Sequence, residues 1–344
     1  MNKKLILFSV YSLLMFSLFI SCSEKSREKI IEEVEGAVFS YLNAQTVPDS
    51  DSGLELPLVQ NKMDLIVHTV NFNGKKIVNY SLEWDRLLKH SRWVAFTFDR
   101  DTIQWNDSVT RSDKLPLNKG YGFQEDPALP QILGGPVYKD HSFNGADKGH
   151  LVASADRFFD QEANNQTFYL TNMSPQLPSF NQHYWNSFEI KGRNLCEGEI
   201  AAGASKVYVV KGGDLNHLKK NYCSSEGQSN KGKMYYLKSD ENGLCYNQED
   251  FLYGGIALPD YYFMAFLSEI PDQNGGYTYK ALGFYLHHGE NMGEAGLAEI
   301  KKNACTINYI EEKTGLDLFC NLNDEVEEKI ESSLDLSAWN WKYK

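Results

Sequence analysis

Positive charge is in short supply in this sequence. Its 34 Lys and Arg face 46 Asp and Glu, for a net charge of -12 at pH 7, which argues against a surface that holds nucleic acid by bulk basicity. Cysteine is sparse too: there are six, none in a CxxC spacing, so a structural zinc site is not expected. Internal repeats and low-complexity tracts are absent, which points to one continuous domain rather than a stacked array. The N-terminal apolar run, Leu5 to Ile20, is short for a transmembrane helix, which needs about 20 apolar residues.

That run has a meaning of its own. It follows the basic "MNKK" and ends at Ser21-Cys22, the layout of a secretion signal. "LFISC" carries a small residue before the cysteine, as bacterial lipoproteins do, although Phe19 stands where leucine is usual. The expectation is a signal peptide over 1–21, lipidation at Cys22, a tether over 22–62 and a folded domain over 63–344. The protein is then exported to the cell envelope and lipid-anchored, as an outer-membrane lipoprotein facing the periplasm or the outside. Export permits disulfides; Cys196, Cys223, Cys245, Cys305 and Cys320 are an odd set, and Cys305 and Cys320 flank a helical stretch and are a candidate pair.

Hydrophobic residues make up 42% and aromatics 13%, ample for a core. Charge is uneven: residues 186–239 hold nine Lys or Arg against five acids, and residues 290–335 hold four against twelve. Nucleic-acid binding can therefore still be local, and the acidic run reads most simply as a solvated helix face.

Past "EKSREKIIEEVEGAVFSYLNAQ", which has helical periodicity, "TVPDSDSGLELP" reads as a linker without a burial signal. Alternation and aromatic content predict strands in "DLIVHTV", "KIVNYSLEW", "RWVAFTFD", "QTFYLTNM", "KVYVVKGG", "DYYFMAFL" and "YKALGFYL". Helices are predicted in "SFNQHYWNSFEIKGRNLC", "EAGLAEIKKNAC" and "INYIEEKTG". The fold class is α+β, a central antiparallel sheet flanked by helices.

Two stretches carry the chemistry: "GADKGHLVASADRFFD" around His150, and "TFYLTNMSPQLPSFNQHYWNSFE" after it. Alone, His150 beside Gly149 reads as a loop histidine, and Trp185 and Phe188 as a buried helix face. Asn181, Trp185 and Glu189 follow i, i+4, i+8 spacing, one slowly drifting helix stripe. A rise of 1.5 Å per residue separates Asn181 from Glu189 by about 12 Å along the axis, too far for both to ligate one ion directly. The spacing suits an ion bound by the Asn carbonyl, with Glu189 acting through a water; Mg2+, which gives up water reluctantly, fits that arrangement.

"DKGHLVASADR", "TFYLTNMSPQ" and "FNQHYWNSFE", in that order, resemble the DNA/RNA non-specific endonucleases of the ββα-metal (His-Me finger) superfamily. The likeness extends upstream through "SRWVAFTF", "TRSDKL" and "DPALP" and downstream through "VYVVKGG" and "TGLDLFCNLNDEVEE", roughly residues 78–338. It implies a ββα-metal finger, His150 as general base, Asn181 as the direct metal ligand and Glu189 as a holder of metal-bound water. It implies Asn172 and Gln176 as polar supports of the catalytic and substrate-binding site, and Arg111 and Lys148 as cations for the phosphate. The cofactor implied is Mg2+, with Mn2+ as substitute, and the product ends are 5′-phosphates on DNA or RNA. Two departures stand out: Lys148 replaces the usual Arg, losing its fork geometry, and Ala153 replaces the usual Pro.

A phosphodiester cut by water needs a base of near-neutral pKa on one side and charge stabilisation on the other, which imidazole and a metal supply. Gly149 is expected to let the backbone turn, with Asp147 and Asp156 holding the loop. His68, His90, His141, His183, His217, His287 and His288 lack comparable support and are read as structural. Two rivals remain: an inactive lipid-anchored module that binds nucleic acid or protein, and a small-nucleotide phosphodiesterase. Nothing in the sequence calls for an obligatory protein partner.

Overall fold

Strand β1, Asp64–Phe72, alternates buried with half-buried side chains and pairs antiparallel with β2, Lys75–Asp85. Asn73 and Gly74 join them, both with positive φ (50° and 75°), the backbone that a tight hairpin requires and that Asn-Gly supplies at low cost. The structure, a computed structural model, describes residues 53–60, 63–86, 88–116, 122–129, 143, 146–219, 238–239, 245–246 and 256–341. The leader, Cys22, the helix expected after it, His141 and the side chains of Cys223 and Cys245 lie outside what is described.

The sheet continues through β3 (His90–Phe98), β6 (Lys206–Gly213), β9 (Tyr261–Pro271), β10 (Tyr277–His287) and β11 (Ala304–Cys305), in the order β1-β2-β3-β6-β9-β10-β11, antiparallel throughout. β4 (Asp147–His150) and β5 (Met173–Gln176) form a separate two-stranded sheet, and β7 (Lys238–Ser239) with β8 (Cys245–Tyr246) another. Successive side chains of a strand point to opposite faces, and here both faces are apolar. Val94, Phe96, Val209, Met264 and Phe266 build one core, while Trp93, Ala95, Tyr208, Phe263 and Ala265 build the other.

Each core needs a cover. The first is closed by helix α2, Asn186–Ala201, through Phe188, Leu195 and Cys196. The second is closed by Ile307 and Ile310 of α4 (Ile307–Thr314), Leu318 and Phe319 after it, and Ile330 of α5 (Asp324–Glu331). Among the described residues there are two further short helices, α1 (Gln161–Gln166) and α3 (Leu297–Lys302). The α+β reading thus holds: a central antiparallel sheet with helices on both faces. Among the described residues no helix is long and apolar enough to cross a membrane.

Several local expectations are corrected. Leu54 is buried in the second core, Leu58 N donates to Asp317 O and Asn321 Nδ2 to Gly53 O, so residues 53–60, read as linker, pack on the folded body. "QTFYLTNM" is not one strand: α1 ends at Gln166, Leu170–Asn172 is a 3-10 turn, and β5 begins only at Met173. Two of its backbone carbonyls are taken by side chains, Thr167 O by Asn172 Nδ2 and Thr171 O by Ser91 Oγ, and outside β5 it keeps one isolated bridge, Tyr169 to Gln124. Cys305 and Cys320 are both free thiols. Cys305 Sγ faces Gly283, whereas Cys320 Sγ donates to Leu56 O, so the two point to different neighbours. The acidic run is not wholly solvated either, because Glu331 is only 7% exposed.

Candidate active site

β4 and β5 pair as Asp147 with Gln176, Lys148 with Pro175, Gly149 with Ser174 and His150 with Met173. Proline tolerates such a short, edge-rich ribbon because little ladder bonding is lost. The ribbon is moored to the main sheet by polar contacts. His90 Nδ1 donates to Ser91 O, which leaves Nε2 to accept from Ser174 Oγ, and Tyr262 Oη donates to Pro175 O. Just beyond β5, His288 Nδ1 donates to Pro259 O and its Nε2 accepts from Leu177 N. These two histidines are structural, as expected, but what they brace is the site.

Gly149 does not make a turn. It is a strand residue, and a Cβ there would lie 2.1 Å from Gln176 Oε1 and 2.3 Å from Gln176 Cδ. Glycine is required because the Gln176 side chain lies directly against the backbone. Gln176 is therefore fully buried, with both amide atoms unpartnered. Gln176 packs beneath β4, against the strand that carries His150. Asn172 is likewise placed as a support. Its Oδ1 accepts from Val152 N and its Nδ2 donates to Val152 O and Thr167 O, which fixes the chain after His150.

The helix after β5 opens with a π-turn, Phe180–Trp185, before α2 continues. A π-turn spreads i→i+5 bonding over its residues and is frequent at functional sites. It alters the simple stripe expected for Asn181, Trp185 and Glu189. Trp185 is fully buried and its indole donates to His150 O (3.3 Å), whereas Asn181 is half-exposed and its Nδ2 donates to Asp147 Oδ2 (2.9 Å). Gln182 Nε2 donates to the same Asp147 oxygen. Asp147 thus orients Asn181 with its amide nitrogen engaged, where the sequence pointed only to a residue that holds the loop.

His150 sits between aromatic rings, its centroid 4.7 Å from Phe168 and 5.8 Å from Phe123. Arg111 lies over the other ring contact, its Cζ 5.1 Å from the Phe168 centroid, and its Nε donates to Asp113. Lys148 Nζ stands 4.6 Å above Phe123. His150, Arg111 and Lys148 are thereby gathered around two phenylalanines that the motif reading did not single out. Burial, and then the Arg111 charge, push His150 down to about 3, so the imidazole is neutral. Its Nε2 is covered and has no hydrogen-bond partner.

Glu189 lies on α2, four residues before Arg193. Burial pushes its carboxyl up to about 7, against the pull of Lys211, and its Oε1 is covered and unpartnered. Asp156 is not a loop holder but the centre of an ion network: Oδ1 accepts from Arg193 Nη1 and Oδ2 from Lys211 Nζ, both at 2.7 Å. Among the described residues no three His, Cys, Asp or Glu side chains converge on a point where a metal could sit. The donor set instead fits an ion that keeps most of its water. Asn181 has its amide nitrogen committed to Asp147 and its carbonyl oxygen left over, and Glu189 Oε1 is an acceptor without a donor.

A family model for DNA/RNA non-specific endonucleases matches residues 63–325. Nuclease C1 of Cunninghamella echinulata var. echinulata is 26% identical over 246 residues, 71% of this chain and 82% of that protein. Mitochondrial endonuclease G of Bos taurus is 45% identical over 121 residues, which span 35% of this chain and 37% of that one. In fold, the chain is similar to a chain of the crystallised EndoG/EndoGI complex, with TM-score 0.51 and 21% identity, covering 75% of this chain and 88% of that one.

Proposed function

We infer, for a chain that belongs to the DNA/RNA non-specific endonuclease family and is an enzyme that hydrolyses nucleic acid, a specific division of labour. His150 is the general base, Asn181 the direct ligand of a divalent ion, Mg2+ or Mn2+, and the products carry 5′-phosphate ends. The observation that carries this reading is a pair of orphaned acceptors, His150 Nε2 and Glu189 Oε1, covered and without partners. A buried polar atom left unpaired costs about 1–3 kcal/mol, and such atoms are retained where a ligand or reacting group pairs with them.

His150 Nε2 takes a proton from the water that attacks phosphorus, opposite the leaving 3′ oxygen. The ring is neutral and aimed by its neighbours: its carbonyl accepts from the Trp185 indole, and the following residues are clamped by Asn172. Burial and then the Arg111 charge oppose protonation of the ring. A phosphate arriving at Arg111 cancels that field and adds its own negative charge, so His150 becomes more basic as substrate binds. Arg111, 43% exposed, and Lys148 hold the phosphate as it gains charge. Asn181 Oδ1 would hold the ion, with Glu189 on the side of its hydration shell, and the ion would supply charge stabilisation at the leaving oxygen and acidify the water that protonates it.

The test is clearance of plasmid DNA and of RNA by the purified chain with and without EDTA, alongside His150→Ala. Loss of a general base slows turnover about 10²- to 10⁴-fold. A folded His150→Ala protein that cuts at the wild-type rate removes the assignment, and EDTA-resistant cutting removes the metal. Hydrolysis of dinucleotide esters with polymers left intact favours the small-nucleotide phosphodiesterase; binding without any turnover favours the inactive module.

The leader points to export and lipidation at Cys22. Cys22→Ser should move the protein from the membrane fraction to the soluble one. Membrane association that survives this change refutes the anchor.

A further inference from the structure

Lys211 belongs to "VYVVKGG", a stretch with no role in the chemistry described above. It lies on β6 in the middle of the sheet, opposite Val94 and Met264, and is 2% exposed. A buried lysine is expensive unless paired. Its Nζ donates to Asp156 Oδ2 at 2.7 Å, and Asp156, 3% exposed, takes Arg193 on its other oxygen.

Two cations against one carboxylate leave this network with a positive excess. The carboxylate that offsets it is Glu189, which lines the same slot between α2 and the sheet as Lys211, Arg193, Asp156 and Phe96. The helix comes this close because residue 192 is glycine: a Cβ there would lie 2.8 Å from Phe266 Cζ. Yet Glu189 Oε1 receives no hydrogen bond from either cation, since Asp156 occupies both at short range. The network attracts Glu189 without consuming its acceptor.

We propose that Lys211 is a positioning residue for the nuclease site: with Asp156 and Arg193 it holds the Glu189 carboxylate inside the slot, aimed at the ion beside Asn181, instead of letting it swing to solvent. The proposal rests on the nuclease reading and assigns this chain's buried ion network a part in it. Asp156 keeps Lys211 and Arg193 from pairing with Glu189 directly, which would turn the acceptor away.

The experiment is Mn2+ affinity by isothermal titration calorimetry on the full chain, with thermal melts for folding. It uses Lys211→Met, Lys211→Arg and Asp156→Asn, and Lys211→Met again in a Glu189→Gln background. Loss of a group that orients a metal's surroundings typically costs 10- to 100-fold in affinity. Lys211→Met should weaken Mn2+ binding at least tenfold, and Lys211→Arg should restore most of it. In the Glu189→Gln background Lys211→Met should add nothing, because the two act as one unit. Should Lys211→Met fail to fold, Asp156→Asn carries the test: it frees both cations to capture Glu189, with the same tenfold loss. Wild-type affinity in a folded Lys211→Met or Asp156→Asn protein overturns the proposal, as does a full further loss in the Glu189→Gln background. In either case a DNA-cutting wild type leaves the nuclease reading standing. A wild type that neither binds Mn2+ nor cuts DNA takes both down.

Discussion

Gly149→Ala adds one methyl group beneath the base. The new Cβ would sit 2.1, 2.3 and 2.6 Å from Oε1, Cδ and Cγ of Gln176, against an optimum near 3.5–4.0 Å for heavy atoms in contact. All three contacts fall well under 3.0 Å, and one of them is to Cγ, so a change of rotamer at the tip is no remedy. Gln176 is fully buried, and the whole side chain must leave or the two strands must part. Overpacking of this kind costs about 1–3 kcal/mol. Activity should suffer more. Separation of β4 from β5 moves His150, paired to Met173, and a displacement of about 1 Å in a reacting group costs about 10²-fold in rate. The assay is urea denaturation with plasmid cleavage, for Gly149→Ala, Gln176→Ala and the double variant. Gln176→Ala opens room for the methyl, so the double variant should regain activity over Gly149→Ala. A double variant as slow as Gly149→Ala, or a Gly149→Ala protein with wild-type rate and stability, refutes the close-approach account of this glycine.

Two further predictions concern charge. Burial, then the charges of Glu311, Glu327 and Asp317, push the Glu331 carboxyl up to about 8; a folded pKa raised above the unfolded value favours the fold below about pH 4.5 and is a liability as pH rises through 8. Glu331→Gln should accordingly stabilise the protein by roughly 2–4 kcal/mol at pH 8.5 and by little at pH 4.5, and equal melting shifts at both pH values would contradict this. The second prediction is a shallow salt dependence of DNA affinity for His150→Ala, since Arg111, Lys148 and the ion are the main phosphate contacts. On duplex DNA the slope of log affinity against log salt is about 0.9 per phosphate neutralised, and a slope corresponding to roughly six or more phosphates would reveal a broad basic groove.

What was legible in the sequence was whatever depends on periodicity or on residue type at a fixed spacing. Six of the seven predicted strands are present, because alternating apolar side chains must face a core. The gathering of His150, Arg111 and Lys148 followed from motif order, as did the placing of Asn181 on the helix after β5. Position 149 was misread because glycine in a sequence suggests a turn, while the reason for it here, the Gln176 side chain, comes from a strand 27 positions away. "QTFYLTNM" looked like a strand because its composition is right, but Gln166 closes a helix, Leu170–Asn172 is a 3-10 turn, and two of its carbonyls go to the side chains of Ser91 and Asn172. Asp156 and Lys211 were invisible as partners: 55 residues separate them, and neither spacing nor composition marks a pairing across the sheet. The π-turn at Phe180–Trp185 has no periodic signature either, since one extra residue in a turn is smaller than the scatter of the apolar pattern.

The acidic balance of the chain looks at odds with a polyanionic substrate until its charges are assigned to faces. Glu311, Glu327 and Glu331 belong to α4 and α5, which cover the core on one side of the sheet. The ribbon and α2 belong to the core on the other side, through Leu151, Trp185 and Phe188. Opposite faces of a sheet with its covering layers are separated by more than the roughly 8 Å over which charges are screened at physiological ionic strength, so the acidic helices exert little pull or push on a phosphate at Arg111. Around the site itself, Asp113 pairs with Arg111, and Asp147 is engaged by Asn181 and Gln182. Asp156 is enclosed by two cations. Apart from Glu189, whose Oε1 has no donor, these carboxylates are each committed to a partner, and the substrate meets the field of Arg111 and Lys148 instead of the average charge of the molecule.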